Sequence, residues 1–237
     1  MKLANALAAL GLTCIAAPAL AQEDTETEVP GGGGLSISGE ANLLSDFRFR
    51  GISRSDRDPA VQGALTVSTP GGFYVGGRGT SLRETGGLGV AQLDLYAGYS
   101  ADLGLGTSVD AGLMYFYFPD GEGEADYFEP YASISHQLGP VQGTLGAKYA
   151  WEQDALGGED LLYLFGEVEA GIPLTPVTIT AQAGRQEAGA LGDYWTWSLG
   201  GRAAIGPFQA GLRYVDTDLA NVPNAEAGLV LSLGIRF

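Results

Sequence analysis

The sequence predicts an all-β protein, a transmembrane up-and-down antiparallel β-barrel of about 12 strands over residues 35–237. Three observations predict it. Apolar and polar residues alternate with period two, and successive side chains of a strand point to opposite faces. Short Gly/Pro links alternate with longer ones, which is the layout of a meander with two unlike rims. Charge is confined to one phase of the alternation, as it must be when the other phase faces lipid, where Arg or Lys at the midplane costs ~2–4 kcal/mol.

Residues 1–21 read as a cleaved secretory signal. Lys2 gives the positive start and Leu7 to Ala17 the apolar run, and Ala19-Leu20-Ala21 is a small-x-small cleavage pattern before Gln22. A spanning helix needs ~18–20 apolar residues, more than this run supplies. Residues 22–34, QEDTETEVPGGGG, read as an acidic, Gly-rich flexible linker.

The alternation begins at Leu35. A first strand is predicted from Leu35 through Arg50, with Phe47 and Phe49 on the apolar face and Asp46, Arg48 and Arg50 on the polar one. Ten further segments repeat the pattern: 61–68, 73–80, 91–100, 109–117, 128–136, 141–151, 162–172, 177–183, 194–205 and 208–214. The twelfth, 225–237, carries apolar residues from Ala225 to Phe237 on one face, with Val230 as an apolar intruder on the other. The short turns fall at 69–71, 101–105, 139–140, 173–176 and 206–207, and longer links lie between them. An even strand number puts both ends of the barrel at the short-turn rim.

The polar phase holds Arg48, Arg50, Arg78, Lys148, Arg202, Arg213 and Arg236 against Glu40, Asp46, Asp94, Asp110, Glu129, Glu167, Glu169 and Glu226. In a barrel these face the lumen. Phe47, Phe49, Tyr115, Tyr117, Tyr149, Trp151, Trp195, Trp197 and Tyr214 share the apolar phase and gather towards the long-loop rim, as an interfacial girdle would. Twelve strands ~4.8 Å apart and tilted ~40° give a backbone diameter of about 24 Å, which leaves room for small hydrophilic solutes.

Once Lys2 is removed, 28 acidic residues stand against 11 basic, a net charge near −17, which argues against nucleic acid as a partner. Cys14 is the only cysteine and His136 the only histidine, so no thiolate metal site, cofactor or catalytic set is predicted. Acidic loop residues such as Asp120, Glu122, Glu124 and Asp126 read as solvated charge rather than as a metal site.

Ser45 to Ala64, SDFRFRGISRSDRDPAVQGA, resembles the opening motif of the TorF-like porin family of Gram-negative outer-membrane proteins. Gly72 to Gly76, Leu93 to Tyr99 and Tyr214 to Thr217 match in order, and the resemblance runs from Ala41 to Phe237. It implies a porin label and no substrate. With the diameter above, the expectation is a porin in the outer-membrane lipid that passes small hydrophilic solutes passively, with the strand ending at Phe237 offered to the barrel-assembly machinery. Arg48, Arg50 and Arg78 either form a positive constriction favouring small anions, or are neutralised across the lumen as a salt-bridged plug. A closed or gated barrel with a structural or adhesive role is the competing expectation.

Overall fold

The computed structural model describes residues 27–28, 34–84, 86–187 and 192–237, the first pair by backbone alone. The predicted signal at 1–21 and most of the predicted linker at 22–34 lie outside the described residues. Thr27 and Glu28 pair antiparallel with Ile37 and Ser36.

Twelve strands make the wall. They are β1 (Ser36–Leu44), β2 (Ala60–Ser68), β3 (Phe73–Ser81), β4 (Ala91–Gly104), β5 (Thr107–Tyr117) and β6 (Tyr127–Leu138), followed by β7 (Val141–Ala150), β8 (Leu161–Gly171), β9 (Val177–Glu187), β10 (Tyr194–Ile205), β11 (Phe208–Thr217) and β12 (Gly228–Arg236). Each pairs antiparallel with its chain neighbours, and β12 closes on β1 through Ser232↔Leu44 to Arg236↔Glu40, so no edge is left open. The short turns explain the tight connections. Gly139-Pro140 and Gly206-Pro207 each put a positive φ (58° and 57°) ahead of a fixed proline φ, and Leu105-Gly106 has positive φ at both positions. Against expectation, β4 runs on to Gly104, past a bulge between Asp102 and Gly104.

The apolar phase is the outer surface. Leu65, Leu95, Leu145, Val168, Leu199 and Leu231 are among its exposed members, a continuous apolar exterior that water would not support and lipid does. At the long-loop rim Tyr115, Tyr149 and Tyr214 donate hydroxyl hydrogen bonds to Asp126, Asp160 and Asp216 at 3.1, 2.9 and 2.9 Å. Such rings lie along lipid while their tips reach the polar boundary. Arg185, the one cation near the apolar phase, sits at this rim between Glu187 and Asp193 (3.2 and 2.8 Å).

Two of the predicted girdle aromatics are not there. The first strand stops at Leu44, and residues 45–59 fold into the barrel as a segment we call the infold. Phe47 is 5% exposed and Phe49 is 0% exposed. The physical reason is that period-two alternation only requires two unlike surroundings. The infold finds both inside the barrel: an apolar cluster for Phe47 and Phe49, and carboxylates for Arg48 and Arg50. Burying Phe49 fully contributes roughly 1.5–3 kcal/mol.

Candidate functional site

The infold is a hairpin. Arg48–Phe49 pairs with Ile52–Ser53 across Arg50 (φ 46°) and Gly51 (φ 89°), the positive-φ pair that a two-residue hairpin turn demands. Gly51 is required twice over, because a side chain there would overlap Thr217 and Thr196 on the wall. Asp46 is the hub of the fold-in. It accepts from Arg48 Nε at 2.6 Å, Ser53 Oγ at 2.5 Å and Ser55 Oγ at 3.2 Å. At the base, Ser45 exchanges two hydrogen bonds with Leu231 of β12, both 2.9 Å.

The tip is held by side chains alone. Arg50 donates to Glu129 of β6 at 2.6 Å and to Gln186 of β9, and its guanidinium lies 4.2 Å from the centre of the Tyr163 ring of β8. Tyr194 of β10 donates to the Arg50 carbonyl at 3.3 Å. Arg54 lies across the Phe49 ring at 3.1 Å and donates to Gln92 of β4 at 2.6 Å, and Gln92 in turn donates to Asp94 at 2.6 Å. Burial draws the Arg54 guanidinium down to about 10, against the opposing pull of Tyr127 and Asp94, so it stays charged at neutral pH. Phe49 meets Phe116 edge to face at 5.8 Å, and Phe116 stacks on Tyr127 at 4.6 Å. Every strand from β2 to β12 places a buried inward side chain in this layer, and Leu44 of β1 packs against it. The infold therefore fills the loop-side half of the lumen.

The turn-side half is different. Tyr74 and Tyr131 share a hydroxyl contact of 2.5 Å, and Tyr74 donates to Asp110 at 2.8 Å. Their rings lie flat along the wall because the facing positions are glycine: a methyl at Gly98 would overlap Tyr74, and one at Gly112 would overlap Tyr131. Arg202 bridges Glu169 at 3.2 Å, and Gln182 donates to Glu167 at 3.3 Å.

The residues predicted to line a pore thus divide. Asp46, Arg48, Arg50, Asp94, Glu129 and Lys148 are buried in the infold layer. Asp110, Glu167, Glu169 and Arg202 belong to the polar half. Arg78 stands opposite Asp94 in register, and Arg213 stands at the boundary, beside a cavity of about 10 Å3 that Arg48 and Arg50 also line. Arg48 and Arg50 were expected on a wall strand; both are on the infold instead. Sequence reasoning did not single out Gln92, Tyr163, Gln186 or Tyr194, which hold the infold, nor the hub role of Asp46. The available signal was the set of apolar residues in the inward phase, Met114, Phe116, Leu161 and Val230, which need a dry partner inside the lumen. His136 lies at the short-turn rim on a 2.9 Å contact with Thr107, away from the infold.

A closed twelve-stranded barrel with an apolar exterior and a polar or plugged interior is the architecture of outer-membrane porins, and such a barrel resides in the bacterial outer membrane. The chain belongs to a bacterial family whose description is "Bacterial protein of unknown function (Gcw_chp)", matched over residues 28–229. Among solved structures it is similar to the NanC porin, with a TM-score of 0.57 and 13% identity over 85% of this chain and 98% of that one. It is also similar to the KdgM porin in complex with disordered oligogalacturonate, with a TM-score of 0.58 and 9% identity over 85% and 97%. A third is the COG4313 outer membrane channel from Pseudomonas putida F1, with a TM-score of 0.55 and 12% identity over 92% and 98%. At these identities the likeness is one of fold. No curated protein sequence matches the chain.

Proposed function

We propose that the protein is a porin-like channel for passive passage of small hydrophilic solutes, and that the infold is its gate. The observation that carries this reading is how the infold is attached. Its backbone bonds to the wall and outer loops lie at its base and outer edge: Ser45 to Leu231, Ser53 to Asn224 and Arg83 to Arg54, at 2.9, 2.9 and 3.2 Å. The tip hangs on side-chain contacts, which can part without unpairing a wall strand. Below it lies a polar lumen suited to water. In the closed state Asp46 and Glu129 match Arg48 and Arg50, so an anion preference from these two arginines belongs to the open state.

The finer parts of the reading come from the sequence. The SDFRFRG motif supports a place among TorF-like porins, residues 1–21 act as the export signal, residues 22–34 as a linker, and the strand ending at Phe237 is presented to the barrel-assembly machinery. A second reading, a barrel kept closed for a structural or adhesive role, is favoured by the completeness of the buried layer. Planar-bilayer recording separates the two. The refolded chain should give rare, small steps, and the Phe49→Ala/Arg50→Ala double variant should give steady ohmic conductance. A double variant that is folded and heat-modifiable yet silent would establish the closed barrel.

A further inference from the structure

We propose that the cavity under the hairpin tip is a binding subsite for a small oxyanion group, a carboxylate or a phosphate, centred on Arg213. The inference deepens the channel reading by naming a solute class, and it rests on that reading only for its physiological role.

Three arginines, Arg48, Arg50 and Arg213, line this cavity together with Tyr163, Gln182 and Ser198. Two are matched by carboxylates at 2.6 Å, Arg48 by Asp46 and Arg50 by Glu129. Arg213 makes neither an ion pair nor a hydrogen bond among the described residues, and Glu167 acts on it only through space. The site therefore carries one positive charge in excess of its bonded partners. It also carries orphan donors. The Tyr163 hydroxyl and Arg50 Nε are buried without a hydrogen-bond partner, and both residues are 1% exposed. Buried polar groups are ordinarily satisfied, so two of them beside one unpaired guanidinium mark a place where an acceptor belongs. A guanidinium fork suits the paired oxygens of a carboxylate or phosphate. The cavity, about 10 Å3, has the room one water-sized oxygen needs. One oxyanion oxygen would enter it, and the rest of the solute would stand among the partly exposed polar groups of the turn-side half. Glu167 opposes an anion there, which favours a weakly held, exchangeable ligand, as conduction requires.

The probe is inorganic phosphate, with acetate as the carboxylate counterpart. The thermal unfolding midpoint of the refolded chain is followed in detergent as phosphate replaces chloride at constant ionic strength. The midpoint should rise with phosphate, since a ligand bound only by the folded state stabilises it. Arg213→Gln should weaken the apparent affinity about tenfold to a hundredfold. Tyr163→Phe, which keeps the ring over Gly184 and removes only the hydroxyl, should weaken it by a smaller factor and guards against an Arg213→Gln chain that does not fold. Arg236→Gln, at the turn rim, should leave it unchanged. No midpoint rise beyond the chloride reference, or equal affinities in Arg213→Gln and the parent, would overturn the subsite. Because binding rather than current is read, anion binding in a chain that never conducts would remove the channel reading and leave the subsite standing.

Discussion

The two halves of the barrel interior share one wall and one alternation, yet they are held by different physics. On the loop side, Arg50 and Glu129 have side chains 0% and 2% exposed, set among Phe49, Phe116 and Tyr127. On the turn side, Arg202 and Glu169 are 23% and 9% exposed, and Tyr74 and Tyr131 lie flat on glycines beside a polar lumen. The wall decides which side chains point inward. What enters the lumen decides whether they meet protein or water, and hence what an ion pair is worth.

The sharpest way to break this comparison is to remove one carboxylate from each half. Glu129→Leu leaves Arg50 charged and uncompensated in a dry layer, which should cost about 3–5 kcal/mol of unfolding free energy. Glu169→Leu leaves Arg202 within reach of water and should cost about 1 kcal/mol. Urea unfolding in lipid vesicles reads both. Arg50→Met with Glu129→Leu should recover most of the first loss, because an apolar pair of similar volume suits a dry site. Equal losses in the two halves would mean that water reaches the infold layer as freely as it reaches the turn side.

A smaller effect is expected from the turn-side wall. In Gly112→Ala the added methyl overlaps both the Tyr131 ring and the Ala97 carbonyl oxygen, so the ring must swing towards the lumen and the backbone must shift. Overpacking of this kind costs about 1–3 kcal/mol. In the Phe49→Ala/Arg50→Ala background it should also narrow the path and reduce the unit conductance, and Tyr131→Ala should restore it. An unchanged conductance would show that the turn-side half is not the narrow part of the open lumen.

Most of the wall was legible in the sequence because lipid and lumen impose one strict period. All twelve predicted strand segments fall on observed strands with their apolar phase outward, but the first runs past its strand, which ends at Leu44. The exception is instructive. Phe47-Arg48-Phe49-Arg50 alternates as well as any wall strand, but its aromatics face an interior cluster and its arginines face interior carboxylates. Period alone cannot tell lipid from a dry lumen. The contradiction lay in the wall, where Met114, Phe116 and Val230 sit in the phase that otherwise carries charge. Arg50-Gly51 is a turn dipeptide, and Asp46 with Ser53 and Ser55 supplies the short-range acceptors and donors of a tight fold-in. The partners Gln92, Gln186, Tyr163 and Tyr194 were not legible, since they come from four strands, β4, β8, β9 and β10, and meet only through the barrel register.

The outer edge of the infold is held by ties open to solvent. Arg57 pairs with Glu226, just before β12, with side chains 46% and 61% exposed. Hydrogen bonding to backbone holds the Glu226 carboxyl below its ordinary value against the opposing effect of burial, and Arg57 and Arg48 add to the lowering. A carboxyl lowered on folding contributes stability that is fully present above its unfolded pKa and is lost as the pH falls through the lowered folded value. Acidification should therefore loosen the outer edge of the infold before the buried tip. Asp58 bridges Arg83 at 3.0 Å on the same edge. Hydrogen exchange at the Ser53 amide, bonded to the Asn224 carbonyl at 2.9 Å, reports this edge directly. Its protection should fall with pH in the parent, and the fall should be shallower in Glu226→Gln, which starts from the weaker level. If Glu226→Gln keeps the parent's full response, the pH response of this edge does not come from Glu226.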